Sequence, residues 1–212
     1  HNNGITTQDI VKIQKHILGQ TPLNSAYKLI AADVNNSGSV TAADMSELRK
    51  LILGLTSEFS KVKSWTFVPA GYVFPDANNP WNAPRKMGDV TNDARASNAS
   101  NTQSRTNGVL NIEVDEKSVV AGESYKVSFK SSDFNNISGY QFTLKYDKSS
   151  LIYEGIEGGV LKATEANFGT NRLNEGIITT SWNSNKGESF GKDAELFTLV
   201  FNAKSDAQIS SI

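Results

Sequence analysis

The sequence predicts a multidomain α plus β protein, in which a pair of helical repeats comes first and an antiparallel β-sandwich comes last. Two observations carry this prediction. The segment TTQDIVKIQKHILG recurs further along as TAADMSELRKLILG, which places Asp9 on Asp44 and Gly19 on Gly54. In the C-terminal half, apolar and polar residues alternate in short runs with no helical pattern between them. The chain therefore joins a duplicated helical unit to a sheet domain.

Each copy of the repeat predicts one short helix after its acidic residue. The apolar residues fall at the spacing of a single helix face: Ile10, Ile13, Ile17 and Leu18 in the first copy, and Met45, Leu48, Ile52 and Leu53 in the second. Gly19 and Gly54 stand where a helix commonly ends. Because short helices gain most of their stability from packing, we expect each to need the apolar face of the other.

The stretch between the two copies, PLNSAYKLIAAD, predicts a third short helix. Ser25 precedes it and suits the N-cap position, where a side-chain oxygen can accept a backbone N–H. The residues that we expect to face inward are Tyr27, Leu29 and Ile30.

Two segments between the halves differ in pattern from both the helical repeats and the sandwich. SWTFVPAGYVFPDANNPW carries aromatic residues between prolines, which disfavour a regular helix. Because so many aromatic side chains gain by being covered, we expect an extended arm packed on the helices or on the neighbouring domain. ARASNASNTQSRTNG has almost nothing to bury and predicts a flexible linker. The predicted segments are the helical repeats at 1–59, the arm at 60–93, the linker at 94–108 and the sandwich at 109–212.

The last segment predicts an antiparallel sandwich or barrel. Its short runs are rich in branched and aromatic residues and read VLNIEVD, YKVSFKS, GYQFTLKYD, LIYEGI, GIITTSW and LFTLVFNAK. In the third run, Phe142, Leu144 and Tyr146 alternate with polar residues, as expected when one face of a sheet is buried. The final residues, SDAQISSI, show no obvious strand, so we expect an incomplete sandwich with an open edge and further chain beyond it.

The loop before the second helix of the repeat, DVNNSGSVTAAD, offers an oxygen at every ligand position of a twelve-residue calcium loop. Ca²⁺ is a hard cation that takes six to eight oxygen ligands, and such a loop supplies them from positions 1, 3, 5, 7, 9 and 12. With Asp33 as position 1, the candidate ligands are Asp33, Asn35, Ser37, Ser39, Thr41 and Asp44. Gly38 falls at the sharp turn, and Val40 falls at position 8. A solvated polar turn is the alternative interpretation.

The first copy of the repeat contains only the second half of such a loop. In the same frame its candidate ligands are Asn2, Gly4, Thr6 and Asp9, and positions 1 and 3 would precede His1. The sequence leaves open whether this half-loop holds an ion. A later motif, GDVTNDA, repeats the start of a calcium loop with Asp89, Thr91 and Asp93, but no helix and no acid at position 12 follow it. An ordinary acidic turn is the alternative there.

These loop-and-helix repeats resemble type I dockerins over residues 2–55, which implies an EF-hand-like pair of calcium loops. Dockerins carry partner-recognition residues just before position 12. Those positions hold Thr7 and Gln8 in one copy but Ala42 and Ala43 in the other, which argues against symmetric binding in two orientations. Ser37 replaces the commoner acid at position 5, which implies weaker calcium binding.

The sandwich is similar to a cohesin domain, the family that dockerins bind. The resemblance rests on VVAGESYKVSFK, ISGYQFTLKYDKSSLIYEG, NFGTNRLNEGIITTSW and ELFTLVFNAK, which occur in the family's order. Dockerin-like repeats, an aromatic arm and a cohesin-like sandwich in series resemble the large secreted surface proteins of Bacteroidota. The resemblance implies an extracellular, cell-surface protein that binds Ca²⁺ and either a protein partner or neighbouring copies or domains of the same protein.

The composition excludes several other classes of function. A net charge of -1 gives no electrostatic attraction to nucleic acid, and no apolar run is long enough to span a membrane. The chain has two histidines, no cysteine and none of the common catalytic motifs, so we expect no enzyme. We predict a calcium-stabilised structural or adhesive segment. The alternatives are a specific cohesin–dockerin recognition module and a carbohydrate-binding module whose polysaccharide ligand stacks on Trp65, Tyr72, Trp81 or Trp182.

Overall fold

The structure is a computed structural model that describes residues 4–67, 84–94 and 110–209 of the chain. The chain folds as two compact units, His1–Gln103 and Ser104–Ile212. The first unit is helical and the second is built of strands, as the sequence predicts.

The first unit contains three helices: α1 at Thr7–Ile17, α2 at Ala26–Ala32 and α3 at Ala42–Ile52. The repeated helices α1 and α3 contact each other and share a core in which Ile10, Ile13 and Leu48 are fully buried. Gly19 and Gly54 follow the two helices with φ of 68° and 73°, a left-handed conformation that glycine adopts at little cost. The predicted pairing of two short amphipathic helices is confirmed.

The predicted position of α2 is confirmed, but the prediction of which side chains it buries is wrong. Ser25 is the N-cap residue, as expected. Leu29 and Ile30, however, are 37% and 38% exposed, and α2 instead buries Ala31 and Ala32. A helix of seven residues presents only a narrow face. Two alanines on that face let the backbone of α2 approach the other helices more closely than larger side chains would.

The two repeats also differ at their C-terminal ends, although their sequences align. Leu18 is 52% exposed at the end of α1, whereas the equivalent Leu53 at the end of α3 is 2% exposed. Ile17 is likewise exposed, and its counterpart Ile52 is buried. The helical spacing alone predicts the same facing in both copies, so this asymmetry arises from the packing around each helix.

A short antiparallel pair of strands lies within the predicted arm at 60–93. Strand β1 spans Trp65–Phe67 and pairs with β2 at Pro84–Lys86. Met87 and Val90, which follow β2, are buried in the helical core. The intervening aromatic residues Tyr72, Phe74 and Trp81 lie outside the described residues, as does the predicted linker apart from Ala94.

The second unit is an antiparallel β-sandwich. Its larger sheet has the strand order β3-β5-β10-β7, with β3 at Glu113–Val114, β5 at Ser124–Lys130, β7 at Leu151–Glu157 and β10 at Phe197–Ala203. The opposing sheet has the order β6-β9-β8, with β6 at Ile137–Lys145, β8 at Phe168–Gly169 and β9 at Ile177–Glu188. A further pair joins β4 at Lys117–Val119 to β11 at Ala207–Ile209, and 3₁₀ turns span Glu165–Asn167 and Leu173–Glu175. The predicted sandwich is confirmed.

Aromatic side chains fill the centre of the sandwich. Phe197 of β10 stacks on Phe129 of β5 with ring centroids 4.6 Å apart, and its other neighbours include Phe142 and Phe168. Trp182 of β9 is buried and its indole Nε1 donates a hydrogen bond. This core accounts for the alternation in β6, where the apolar residues are half-buried and the polar residues between them are exposed.

The prediction that the last residues form no strand is wrong. Ala207–Ile209 forms β11, which pairs antiparallel with β4. Both strands have three residues, which is too short for a clear alternation of apolar and polar side chains. Only the pairing of two segments distant in sequence makes this strand recognisable.

Candidate metal centre

The loop at 33–44 is held by the ends of two helices. Asp33 is the C-cap residue of α2, and Thr41 is the N-cap residue of α3. Asp44 lies in the first turn of α3. Because both helix ends are packed in the core of the unit, the spacing between the two carboxylates of the loop is set by the fold.

The carboxylate of Asp33 organises the first half of the loop. Its Oδ1 accepts the backbone N–H of Ser37 at 2.9 Å, and its Oδ2 accepts the backbone N–H of Gly38 at 2.8 Å. Gly38 has φ of 84°, which confirms the sharp turn predicted at that glycine. The hydroxyl of Ser37 donates to the carbonyl oxygen of Ser39 at 3.0 Å, so the residues at positions 5 and 7 are in direct contact.

Asp44 is fully buried and closes the second half of the loop. Its Oδ2 accepts the backbone N–H of Thr41 at 2.9 Å, which is the contact of a capping box at the start of a helix. Its Oδ1 accepts the backbone N–H of Asn35 at 3.2 Å. A capping box explains the first contact but not the second, which joins position 12 of the loop to position 3.

Asn35 supplies the observation that distinguishes a metal loop from a polar turn. Its side-chain Oδ1 is shielded from solvent and has no hydrogen-bond partner among the described residues. A buried acceptor left without a partner costs about 1–3 kcal/mol. A cation at the centre of the loop would remove that cost, because position 3 is a ligand position.

The chemistry of the donor set fits Ca²⁺. Every candidate ligand side chain in the loop offers oxygen, with no nitrogen or sulfur ligand that would favour a transition metal. Within this loop only Asp33 and Asp44 are acidic. The described residues contain no group of three or more acidic or histidine side chains that could hold a metal, so at any site in them neutral side chains and backbone oxygens would have to complete the ligand set. An ion in this loop would therefore be held mainly by two carboxylates, neutral side chains and backbone oxygen.

The half-loop before α1 has the same arrangement around its acid. Asp9 is fully buried, and its Oδ2 accepts the backbone N–H of Thr6 at 2.9 Å. Burial raises the pKa of Asp9 to about 6, and the charge of Asp89 adds to this, whereas N–H groups of Thr6 and Thr91 oppose it. Asn2 lies outside the described residues.

Sequence reasoning missed the contact between this half-loop and the later GDVTNDA motif. The backbone N–H of Thr91 donates to Oδ1 of Asp9 at 3.0 Å, and the hydroxyl of Thr91 donates to Oδ1 of Asp89 at 2.8 Å. The signal was present in the shared start of GDVTNDA and DVNNSGSVTAAD. The sequence did not show that the chain returns to the helical unit after β2, which is what brings the two motifs together.

The positions that dockerins use for partner recognition differ in exposure between the repeats. Thr7 is buried, whereas Gln8, Ala42 and Ala43 are exposed. The two repeats therefore present different surfaces at equivalent positions.

The aromatic residues proposed for sugar binding are only partly available. Trp182 donates from Nε1 to the carbonyl oxygen of Leu161 at 3.1 Å and stacks on Tyr140, so its faces are covered by the sandwich core. Trp65 is half-buried and has the ammonium of Lys86 over its ring. Tyr72 and Trp81 lie outside the described residues. Trp182 is therefore a core residue.

Known families match both units. The model of the type I dockerin domain matches residues 1–53, and the model of the cohesin domain matches residues 110–212. No curated protein matches the chain. Within the described ranges, none of the helices has the length and apolar character needed to cross a lipid bilayer.

Two solved structures of cohesins are similar to part of the chain. One is the sixth cohesin of scaffoldin B from Acetivibrio cellulolyticus, in complex with a mutant Cel5 dockerin, with 27% identity and a TM-score of 0.35 over 47% of this chain and 76% of that one. The other is the seventh ScaB type I cohesin from Pseudobacteroides cellulosolvens, with 20% identity and a TM-score of 0.36 over 48% of this chain and 74% of that one.

Proposed function

We propose that the chain, which matches the type I dockerin domain at residues 1–53 and the cohesin domain at residues 110–212, is a calcium-stabilised, non-enzymatic assembly segment. Both domains are protein–protein assembly modules. One chain thus carries a module of each kind. Such a chain can be held by one partner through its dockerin and can hold another through its cohesin.

The observation that supports calcium stabilisation is the orphaned Oδ1 of Asn35 beside the buried carboxylate of Asp44. Without a cation the loop retains an unsatisfied acceptor and a buried negative charge, and both destabilise the folded state. An ion that binds only the folded loop adds its binding free energy to the stability of the helical unit. At a free calcium concentration 1,000 times the Kd this is about 4 kcal/mol.

Thermal unfolding of the full chain tests this function. We expect the helical transition, followed by far-ultraviolet circular dichroism, to shift to higher temperature with CaCl₂ than with EDTA. Asp44→Asn should abolish much of the shift, because it removes the charge at position 12. Glu58→Gln, which changes an exposed acid of the same unit, should retain the full shift. Equal melting temperatures with CaCl₂ and EDTA would contradict the proposal.

A second candidate function is specific recognition of a cohesin domain by the helical unit. It is favoured by the exposure of Ile17 and Leu18 at the end of α1, since exposed apolar side chains are suited to a protein interface. Because Ile52 and Leu53 are buried in the other repeat, such binding would use one orientation rather than two. The proposed partner is a cohesin domain, carried by another copy of this chain or by another protein.

Sedimentation velocity of the full chain tests this second candidate. With CaCl₂ present we expect association that grows with protein concentration if copies bind one another, and Leu18→Asp should abolish it. Val120→Asp is a matched control, because Val120 is an equally exposed apolar residue of the sandwich. A chain that stays monomeric, and that also fails to bind a panel of purified cohesin domains, would exclude this candidate.

An assembly segment of this kind acts outside the cell, so we propose an extracellular or cell-surface location. The support is the pair of families, whose modules are typically found there. The adhesive role and the origin in a bacterium of the Bacteroidota stay predictions. Fractionation of the source cells, with an antibody against the sandwich, would test the location.

A further inference from the structure

We propose that residues 89–94 complete the half-loop before α1, so that the first repeat holds a divalent cation in a site split between two distant chain segments. This inference rests on the proposed function, since it extends calcium stabilisation from the intact loop to the other repeat. In the frame of the intact loop, Asp89, Thr91 and Asp93 take positions 1, 3 and 5, and Gly4, Thr6 and Asp9 take positions 7, 9 and 12.

The bond between positions 3 and 12 is the same in the two loops. In the intact loop the backbone N–H of Asn35 donates to Oδ1 of Asp44 at 3.2 Å. In the split loop the backbone N–H of Thr91 donates to Oδ1 of Asp9 at 3.0 Å. In both, Oδ2 of the position 12 acid accepts the backbone N–H of position 9 at 2.9 Å. The later motif is therefore in register with the half-loop.

The carboxylate at position 1 accepts backbone N–H groups from the same two positions in both loops. Asp89 accepts the backbone N–H of Asp93 at 2.9 Å and of Ala94 at 2.6 Å through its Oδ2. In the intact loop the N–H groups at positions 5 and 6 donate to Asp33 at 2.9 and 2.8 Å. In both turns the N–H groups at positions 5 and 6 therefore hold the position 1 carboxylate, through one oxygen of Asp89 and through both oxygens of Asp33.

The backbone and the core contacts of the two turns agree as well. Position 4 has a left-handed conformation in both, with φ of 60° at Asn92 and 53° at Asn36. Position 2 is a valine in both, and Val90 and Val34 are both buried in the helical core. Positive φ is uncommon for residues other than glycine. An acidic turn unrelated to the intact loop would therefore not be expected to have positive φ at the same position.

The two segments meet where the intact loop is continuous. Ala94 stands at position 6 and Gly4 at position 7. A Cβ placed on Gly4 would lie 2.6 Å from the backbone of Ala94, so the two segments are in close contact there. Gly4 has φ of 75°. Positions 6 and 7 of the split loop are therefore adjacent in space, although no peptide bond joins them.

The charges of the split loop are those that a cation would compensate. Asp9 and Asp89 are both buried, and neither forms an ion pair with a basic side chain that the structure describes. The charge of Lys86 interacts with that of Asp89. The ammonium of Lys86 lies over the ring of Trp65, with Nζ 5.6 Å from the ring centroid. Oδ1 of Asp93 is also shielded from solvent. Buried like charges destabilise a fold unless a counter-charge is present.

Isothermal titration of the full chain with CaCl₂, after EDTA has been removed, tests the split site. We expect two ions per chain. Asp89→Asn should lose one ion and retain the other, and Asp33→Asn should lose the other. Glu58→Gln, an exposed acid of the same unit, should still bind two. Asp93→Asn keeps the size of the side chain and should weaken one of the two sites at least tenfold, which provides a second test if Asp89→Asn does not fold.

The outcomes separate the split site from the proposed function. One ion in the unmodified chain, retained in Asp89→Asn and lost in Asp33→Asn, would overturn the split site and leave calcium stabilisation standing. No ion in the unmodified chain would overturn both. Two ions that persist in both Asp89→Asn and Asp93→Asn would overturn the split site, because the second ion would then lie elsewhere.

Discussion

The backbone N–H of Thr91 donates to Oδ1 of Asp9 at 3.0 Å, and so joins two residues that are 82 positions apart in the chain. The acceptor is a fully buried carboxylate at the start of α1. The donor belongs to a turn that follows a short strand and whose Val90 is buried in the same core as α1. The helical unit therefore includes chain beyond residues 1–53, the range that matches the type I dockerin domain.

Gly4→Ala should destabilise the helical unit more than Gly19→Ala does. Both glycines have positive φ, of 75° and 68°, so alanine is strained at either position. Only at Gly4 would the added Cβ also meet the backbone of Ala94, at 2.6 Å; around Gly19 the space is open. We expect a loss of about 1 kcal/mol for Gly19→Ala from the backbone conformation alone, and a clearly larger loss for Gly4→Ala.

Urea unfolding of each variant, followed by circular dichroism, measures this difference. The two substitutions are chemically identical, which makes each the control for the other. Equal losses would show that Gly4 and Ala94 are not in contact in solution.

Leu53→Ala should cost far more stability than Leu18→Ala, although the two leucines occupy equivalent positions in the repeat. Leu53 is 2% exposed and Leu18 is 52% exposed. Truncating a buried leucine typically costs about 2–5 kcal/mol, whereas an exposed one changes stability by about 0.5 kcal/mol or less. Denaturant unfolding of the two variants measures both values in the same unit. A similar loss in both would mean that the repeats pack symmetrically in solution.

The candidate calcium loop at 33–44 is recognisable from sequence because its proposed ligand positions are contiguous. Asp33 and Asp44 stand at the ends of one twelve-residue pattern, and Gly38 marks its turn. The split loop is not predictable in the same way, because Thr91 and Asp9 are brought together only by the path of the chain through β2. Each half alone is a weak motif, and no local pattern specifies which distant segment completes it.

The sequence also failed to predict which side chains of α2 are buried. Periodicity predicts that Leu29 and Ile30 face inward, since they are the apolar residues of α2. The structure buries Ala31 and Ala32 instead and leaves Leu29 and Ile30 exposed. In the sandwich, by contrast, the alternation in β6 fixes the buried face at once, since a shift by one residue would expose every apolar side chain.

Trp182→Ala should unfold the sandwich at a lower denaturant concentration and should not be interpreted as a loss of sugar binding. Trp182 is buried, stacks on Tyr140 with ring centroids 5.7 Å apart and contacts Phe134 edge to face. Removing a buried tryptophan costs about 3–5 kcal/mol. Intrinsic fluorescence and urea unfolding measure the loss. Retention of full stability in Trp182→Ala would show that this side chain does not pack in the core, and would reopen the carbohydrate-binding interpretation.

The turn at Asp147 should make the stability of the sandwich fall in acid. Hydrogen bonds from the side chains of Ser149 and Ser150 and from the backbone N–H of Ser149 lower the pKa of Asp147 to about 2. In the unfolded chain an aspartate titrates near 3.9, so the folded state holds the proton more weakly. The stabilisation is therefore complete above about pH 4 and is lost as the pH falls towards 2.

Asp147→Asn isolates this contribution, because asparagine has nearly the same shape and does not titrate. The variant should melt at a lower temperature than the unmodified chain at pH 7, and the difference should shrink as the pH is lowered from 4 to 2. Asp193→Asn, at an exposed aspartate of the same unit, serves as the matched control. The melting temperatures come from differential scanning calorimetry in buffers without calcium, so that ion binding by the helical unit does not contribute. A difference in melting temperature between Asp147→Asn and the unmodified chain that stays constant down to pH 2 would show that the turn does not stabilise the carboxylate of Asp147.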